Sequence, residues 1–111
     1  MNEYLFSYGT LQLDEVQIKV FGRLLTGKRD LLRGYKTSTI EIADASFLSK
    51  GEQRQQQTLI ISNDNAEALA GTVFELSKEE LLQADKYEPA GYERHIVKLQ
   101  SGIQAWVYSV K

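Results

Sequence analysis

The stretch "LLQADKYEPAGYERHIVKL", residues 81–99, contains the chain's single proline, placed directly after a glutamate. Leu81, Leu82 and Ala84 are spaced to face inward from a helix. That helix must end near Tyr87, because the residue before a proline is pushed out of helical geometry toward an extended conformation. Beyond the proline the chain alternates again. Tyr92, Arg94, Ile96 and Lys98 fall on one side of a strand, and Glu93, His95, Val97 and Leu99 on the other. Upstream, Ser77 with Glu80 three residues on forms a capping box that opens the helix. Downstream, "SG" predicts a turn and "IQAWVYSV" a last strand, with Trp106 and Tyr108 on one of its sides as core or pocket wall.

The rest of the chain supplies more of the same mixture. "NEYLFSYGTL" starts as a strand with Tyr4, Phe6 and Tyr8 on one side and breaks at Gly9. Leu13, Val16, Val20 and Phe21 then recur at helical spacing, with Gly22 as the stop. "RGYKTSTIEIADASFLSK" predicts one or two strands, "KGEQRQQQ" at 50–57 an exposed polar loop, "TLIIS" a strand, "NDNAEA" a turn and "AGTVFEL" at 70–76 another strand. No linker or repeat divides residues 1–111, which read as a single domain. The expected class is α+β, with a sheet able to curl into a small barrel.

Composition removes several chemistries. A net charge of −2 gives no basic footprint for nucleic acid. With no cysteine and a single histidine, His95, the chain has no thiolate nucleophile and no Cys- or His-rich metal site. The absence of cysteine suits a reducing cytoplasm. No apolar run approaches the roughly 18 residues of a membrane span. Catalysis would therefore fall to carboxylates, hydroxyls, lysines, arginines or backbone amides.

"GRLLTGKR" at 22–29 matches the start of a phosphate-binding loop, but Arg29 stands where a magnesium-binding serine or threonine belongs. It also follows a helix rather than a strand, so its glycines are expected to shape an ordinary loop. "SYGTL" at 7–11 allows two readings: a tight turn needing Gly9 for its backbone angles, or a concavity of amides that receives an anion.

Glu88 stands apart from the other glutamates. Glu79 and Glu80 belong to a first helical turn, Glu15, Glu52 and Glu67 read as solvated, and Glu41, Glu75 and Glu93 as outward strand residues. Glu88 sits at a helix end beside Tyr87 and Tyr92, where the helix dipole and aromatic neighbours would both raise its pKa. It reads either as a surface turn residue or as a proton carrier. His95 reads as a packing or surface residue, and Tyr108 as able to offer a hydroxyl to a ligand.

"YGTL", "VFGRLLTGKRDLLRGYK", "AGTVFELSKEELLQADKYEPAGYERHIVKL" and "SGIQAWVYSV" together resemble the γ-glutamylcyclotransferase-like, or AIG2-like, proteins over nearly the whole chain. The family resemblance implies a mixed sheet curled into a small barrel with flanking helices. It implies that Tyr8, Gly9, Thr10 and Leu11 receive a γ-glutamyl group and that Glu88 is the catalytic acid/base. The implied reaction cyclises a γ-glutamyl amine or amino acid to 5-oxoproline and releases the amine, with no cofactor and no metal. The expected partner is that small molecule alone, without nucleic acid or membrane, on a cytoplasmic monomer or weak homodimer. The competing expectation is a non-catalytic module of the same fold that binds a γ-glutamyl or other carboxylate ligand.

Overall fold

The computed structural model describes residues 2–52, 54–62 and 67–110. Its strands are β1 (Glu3–Ser7), β2 (Thr26–Arg33), β3 (Tyr35–Glu41), β4 (Gln55–Ile61), β5 (Ala68–Leu76), β6 (Tyr92–Lys98) and β7 (Gln104–Val110). The helices are α1 (Asp14–Phe21), the short α2 (Ala45–Leu48) and α3 (Lys78–Tyr87), with a 3-10 turn at Thr10–Gln12. One sheet runs in the order β2-β5-β1-β7-β6, and β3 pairs with β4 in a separate hairpin. The sheet is mixed, because β1 is antiparallel to β5 but parallel to β7, with Leu5 opposite Trp106. The class is α+β with a curled sheet.

β1 is central, and alternation sends its side chains into two cores. Leu5 faces the helices, in a cluster with Val16, Phe74, Leu76, Leu81 and Ala84. Phe6 faces the other way, packing with Leu32, Val73, Val97 and Val107 and with Leu59 of the hairpin. Thr58 of the hairpin accepts the Val110 amide at 3.0 Å, which ties β4 to the end of β7 and closes the curl. Tyr4, on the same side of β1 as Phe6, is 41% exposed.

Local signals place the helices. The Ser77–Glu80 box is formed in both directions, and Glu80 also takes the Arg23 guanidinium at 2.7 and 2.8 Å. Gly22 ends α1 in the left-handed conformation, at φ 73°. The inward assignment of Leu82 fails, since it is exposed, and Leu13, where the helical spacing starts, is the exposed N-cap of α1.

The strands hold the larger corrections. Gly27, Lys28 and Arg29 lie inside β2 rather than in a loop, and a side chain on Gly27 would stand 2.5 Å from the Phe74 ring. β2 escapes the sequence pattern because it is an edge strand whose first residues face water and need no alternation. Residues 55–57 of the polar 50–57 segment open β4, and α2 interrupts the stretch read as strands at 33–50. The turn read at 63–68 falls mainly on residues 63–66, outside the described ones.

Candidate active site

α3 ends as the proline requires. Glu88 donates its amide to Ala84 O at 3.1 Å, and its own backbone is extended, with φ −64° and ψ 150°. The chain then turns over Pro89, Ala90 and Gly91. Gly91 takes φ 95°, and Tyr92 N returns to Pro89 O at 3.1 Å to start β6.

Glu88 lines a cavity of about 660 Å³ that is also lined by Tyr8, Gly9, Thr10 and Leu11. The structure thus brings together residues from opposite ends of the chain, because β1 and β7 are neighbours and α3 packs across them. Its remaining walls come from α1, from residues 50–52 and 55–57, and from Pro89, Tyr92 and Tyr108.

The Glu88 carboxyl has no hydrogen-bond partner among the described residues. The surrounding tyrosines all donate elsewhere. Tyr8 donates to Tyr108 O at 2.5 Å, Tyr92 to Gln57 O at 3.0 Å, Tyr108 to Asp85 Oδ1 at 2.6 Å, and Tyr87 to Glu52. A carboxylate so placed gains no donors to stabilise its charge. Although the residue keeps some surface in the cavity, burial is the largest influence on its carboxyl. Burial, followed by the Asp85 and Glu52 carboxylates, pushes Glu88 up to about 8, with Lys50 pulling the other way. Burial, with Glu88 next in line, likewise pushes the Tyr92 phenol up to about 12.

The loop after β1 turns at Gly9, where Gln12 N returns to Gly9 O at 3.2 Å, without using the left-handed conformation. Gly9 has φ −129°, outside the left-handed region, and a side chain there would meet no atom within 4 Å. Its amide points to Ser7 Oγ at 3.3 Å. Thr10 and Leu11 open the 3-10 turn, so their amides have no intrahelical acceptor.

Other side chains fasten this loop from behind. Buried Gln17 donates to Leu11 O at 2.9 Å and accepts the Leu25 amide at 2.9 Å. Gln12 donates to Gly9 O at 3.2 Å and accepts from Arg29 at 2.9 Å. Nothing in the spacing of Gln12, Gln17 or Lys50 marks them in the sequence. Glu52, read as solvated, is a wall residue bonded to Tyr87. The Tyr108 hydroxyl is engaged by Asp85, whose other partner is Arg94 at 2.8 Å. His95 is half-buried on β6 and is not among the cavity residues.

Comparison with known proteins agrees with this architecture. The family model "Gamma-glutamyl cyclotransferase, AIG2-like" matches residues 5–111, and the chain belongs to that family. A solved γ-glutamyl cyclotransferase superposes with a TM-score of 0.74 at 16% identity, covering 100% of this chain and 68% of that one. An uncharacterized protein from Homo sapiens gives a TM-score of 0.74 at 19% identity, covering 99% and 67%. A protein from Arabidopsis thaliana, solved in solution, gives 0.72 at 20% identity, covering 99% of this chain. This chain spans 62% of the length of the Arabidopsis protein. No curated protein sequence matches significantly. Fold and family are thus γ-glutamyl cyclotransferase-like, and among the described residues no helix is long and apolar enough to cross a membrane.

Proposed function

We propose that the cavity cyclises a γ-glutamyl amine or γ-glutamyl amino acid to 5-oxoproline and releases the amine, with Glu88 as general acid/base. The observation that carries this reading is a carboxyl with no hydrogen-bond partner among the described residues, raised to about 8 by burial, in the same cavity as the loop 8–11. A free α-amino group titrates near 8 as well. Proton transfer between the two is therefore close to balanced, the condition that favours general acid–base catalysis.

The nucleophile belongs to the substrate. Its α-ammonium gives a proton to the Glu88 carboxylate, and the freed amine attacks the δ-carbonyl of the same molecule. A C–N bond closes the five-membered ring. The bond to the departing nitrogen then breaks as Glu88 returns the proton to it, and the second proton of the attacking nitrogen passes through Glu88 to the freed amine, which leaves as its ammonium ion. The Thr10 and Leu11 amides are the groups that would take the α-carboxylate, folding the substrate into its reactive conformer. No step needs a metal or cofactor.

The test is 5-oxoproline release from a panel of γ-glutamyl amines and dipeptides, wild type against Glu88→Gln. The variant is expected to lose roughly 10²- to 10⁴-fold in kcat with its fold intact. Wild-type activity is expected to fall as pH drops below about 8, because a protonated Glu88 cannot accept the substrate's proton. Equal release from both proteins would remove Glu88 from the reaction. Tight binding of a γ-glutamyl compound with no release would make the protein a binding module instead.

A further inference from the structure

The turn carrying Glu88 is gripped from outside by a segment distant in sequence. Asp44, the N-cap of α2, accepts the Ser46 amide at 3.1 Å with one oxygen and the Ala90 amide at 2.8 Å with the other. Phe47 packs edge-on against Tyr87, with ring centroids 5.8 Å apart. Lys50 donates to Lys86 O at 3.0 Å and to Tyr87 O at 3.3 Å, with its ammonium 5.6 Å from the centre of the Tyr87 ring. Glu52 accepts the Tyr87 hydroxyl, which in turn lies 3.2 Å from Thr10 Oγ1 in the loop after β1. On the far side, Lys19 of α1 donates to the Lys50 carbonyl.

The two carbonyls that Lys50 holds are the last of α3, where the negative end of the helix dipole lies, and Glu88 follows them directly. A cation there does two things at once. It fixes the peptide planes from which the Glu88 side chain departs, and it offsets the negative helix end beside a carboxyl that must ionise.

We infer that residues 44–52 form a clamp on the α3–β6 turn, in which Lys50 is a positioning residue that sets where Glu88 enters the cavity and how readily it ionises. The inference rests on the assignment of Glu88 as the acid/base. Lys50 positions Glu88 through the helix end, since its hydrogen bonds go to backbone, and its charge also reaches the carboxyl. The loop after β1 is joined to the same clamp through Thr10, Tyr87 and Glu52.

Among the described residues, the charged and titratable groups acting on Glu88 are Asp85 of α3, Glu52 and Lys50 of the clamp, Tyr8 of the loop after β1, Tyr87 at the end of α3, Tyr92 of β6 and Tyr108 of β7, while Glu15 and Lys19 of α1 line the same cavity. Asp85 is paired with Arg94, and among the described residues Lys50 is the cation whose charge favours an ionised Glu88. Removing Lys50 leaves a buried carboxyl facing Asp85 and Glu52, so its titration moves to higher pH.

Two readouts test the clamp. The first is the titration of the Glu88 carboxyl followed by carbon NMR in the full chain, for wild type, Lys50→Met and Lys50→Arg. The Met variant is expected to titrate at higher pH, and the Arg variant to return toward wild type because a guanidinium can still donate to both carbonyls. The second is 5-oxoproline kinetics on the best substrate of the panel. Lys50→Met is expected to lower kcat roughly 10- to 100-fold with KM changed less than about threefold.

An unchanged Glu88 titration, or a loss confined to KM, would overturn the inference and make Lys50 a substrate ligand or a surface residue. Should Lys50→Met fail to fold, Asp44→Ala severs the Ala90 tie and the α2 cap while leaving Lys50 in place, and is expected to lower kcat at constant KM. A wild-type kcat in that variant would overturn the clamp. If wild type releases no 5-oxoproline from any substrate, the reaction assignment fails while the carbon titration still decides the clamp.

Discussion

The loop 8–12 and the segment 44–52 both border the Glu88 cavity, yet they are fastened by different forces. Gln17, 3% exposed, holds the loop by uncharged hydrogen bonds to Leu11 O and Leu25 N. The segment is held at the surface by charge: Asp44 to the Ala90 amide, Lys50 to the end of α3, Lys19 to Lys50 O. Buried uncharged bonds respond little to salt or pH, whereas exposed charges respond to both. The proposed substrate-binding loop is therefore the rigid partner, and the grip on the proposed acid/base is the adjustable one.

Glu88 itself offers the largest test of that contrast. Its folded-state carboxyl is raised from 4.5 to about 8, so folding keeps a proton that the unfolded chain has released. Below about 4.5 both states are protonated and the group makes no difference. As pH rises toward 8 stability falls by at most about 1.4 kcal/mol per unit, and above 8 the loss levels off. Glu88→Gln is thus expected to melt with the wild type near pH 4.5 and above it by a few kcal/mol at pH 9, as about 1.4 kcal/mol per unit implies. Parallel melting curves across that range would show that the carboxyl is better solvated than its position indicates.

Gln17→Leu breaks the loop's fastening next. It leaves a buried amide and a buried carbonyl unpaired, a cost of about 2 kcal/mol, with a fall in Tm of roughly 8–12 °C. Its kinetic signature is expected in KM rather than kcat, the reverse of the Lys50 variant. An equal loss in both would mean that the two walls move as one.

The smallest effect is that of salt. Raising ionic strength from low salt to about 0.5 M is expected to lower kcat about twofold by screening the Lys50 contacts, with no change in Tm beyond a degree or so. Asp44 keeps its tie at neutral pH, because the Ala90 amide holds its carboxyl below the usual range. That contribution is present above the ordinary Asp value and is lost only as pH falls through the lowered one. A kcat indifferent to salt would place the clamp's strength in the Phe47–Tyr87 packing instead.

Much of the architecture was legible because its causes are local. The Ser77–Glu80 box, the stop at Pro89 and the turn at Gly22 each act within a few residues, and each is formed. Edge strand β2 was missed because water on its outer flank relaxes the alternation that marks a strand. Leu82 was misplaced because helical spacing gives the width of an apolar face but not which of its rims the neighbouring helix reaches.

Of the site, Glu88 stood out through its own neighbours, the proline and the tyrosines. Tyr8, Gly9, Thr10 and Leu11 stood out through family resemblance, and Gly9 turns the chain at φ −129° and ψ −144°. Glu52 was read as solvated because a glutamate in a polar run carries no sign of the hydroxyl it meets.

By itself the sequence determined where α3 begins and ends, the alternation of the strands after it, and the glutamate at the break. Those follow from backbone sterics and side-chain periodicity, which act over a few positions. Only the tertiary structure decided that Glu88 shares a cavity with the loop after β1, and that Asp44, Lys50 and Glu52 grip its turn. These contacts join residues 35 to 46 positions apart. No short-range pattern encodes them, because they exist only once the parallel pairing of β1 with β7 and the packing of α3 on the sheet have brought the segments together.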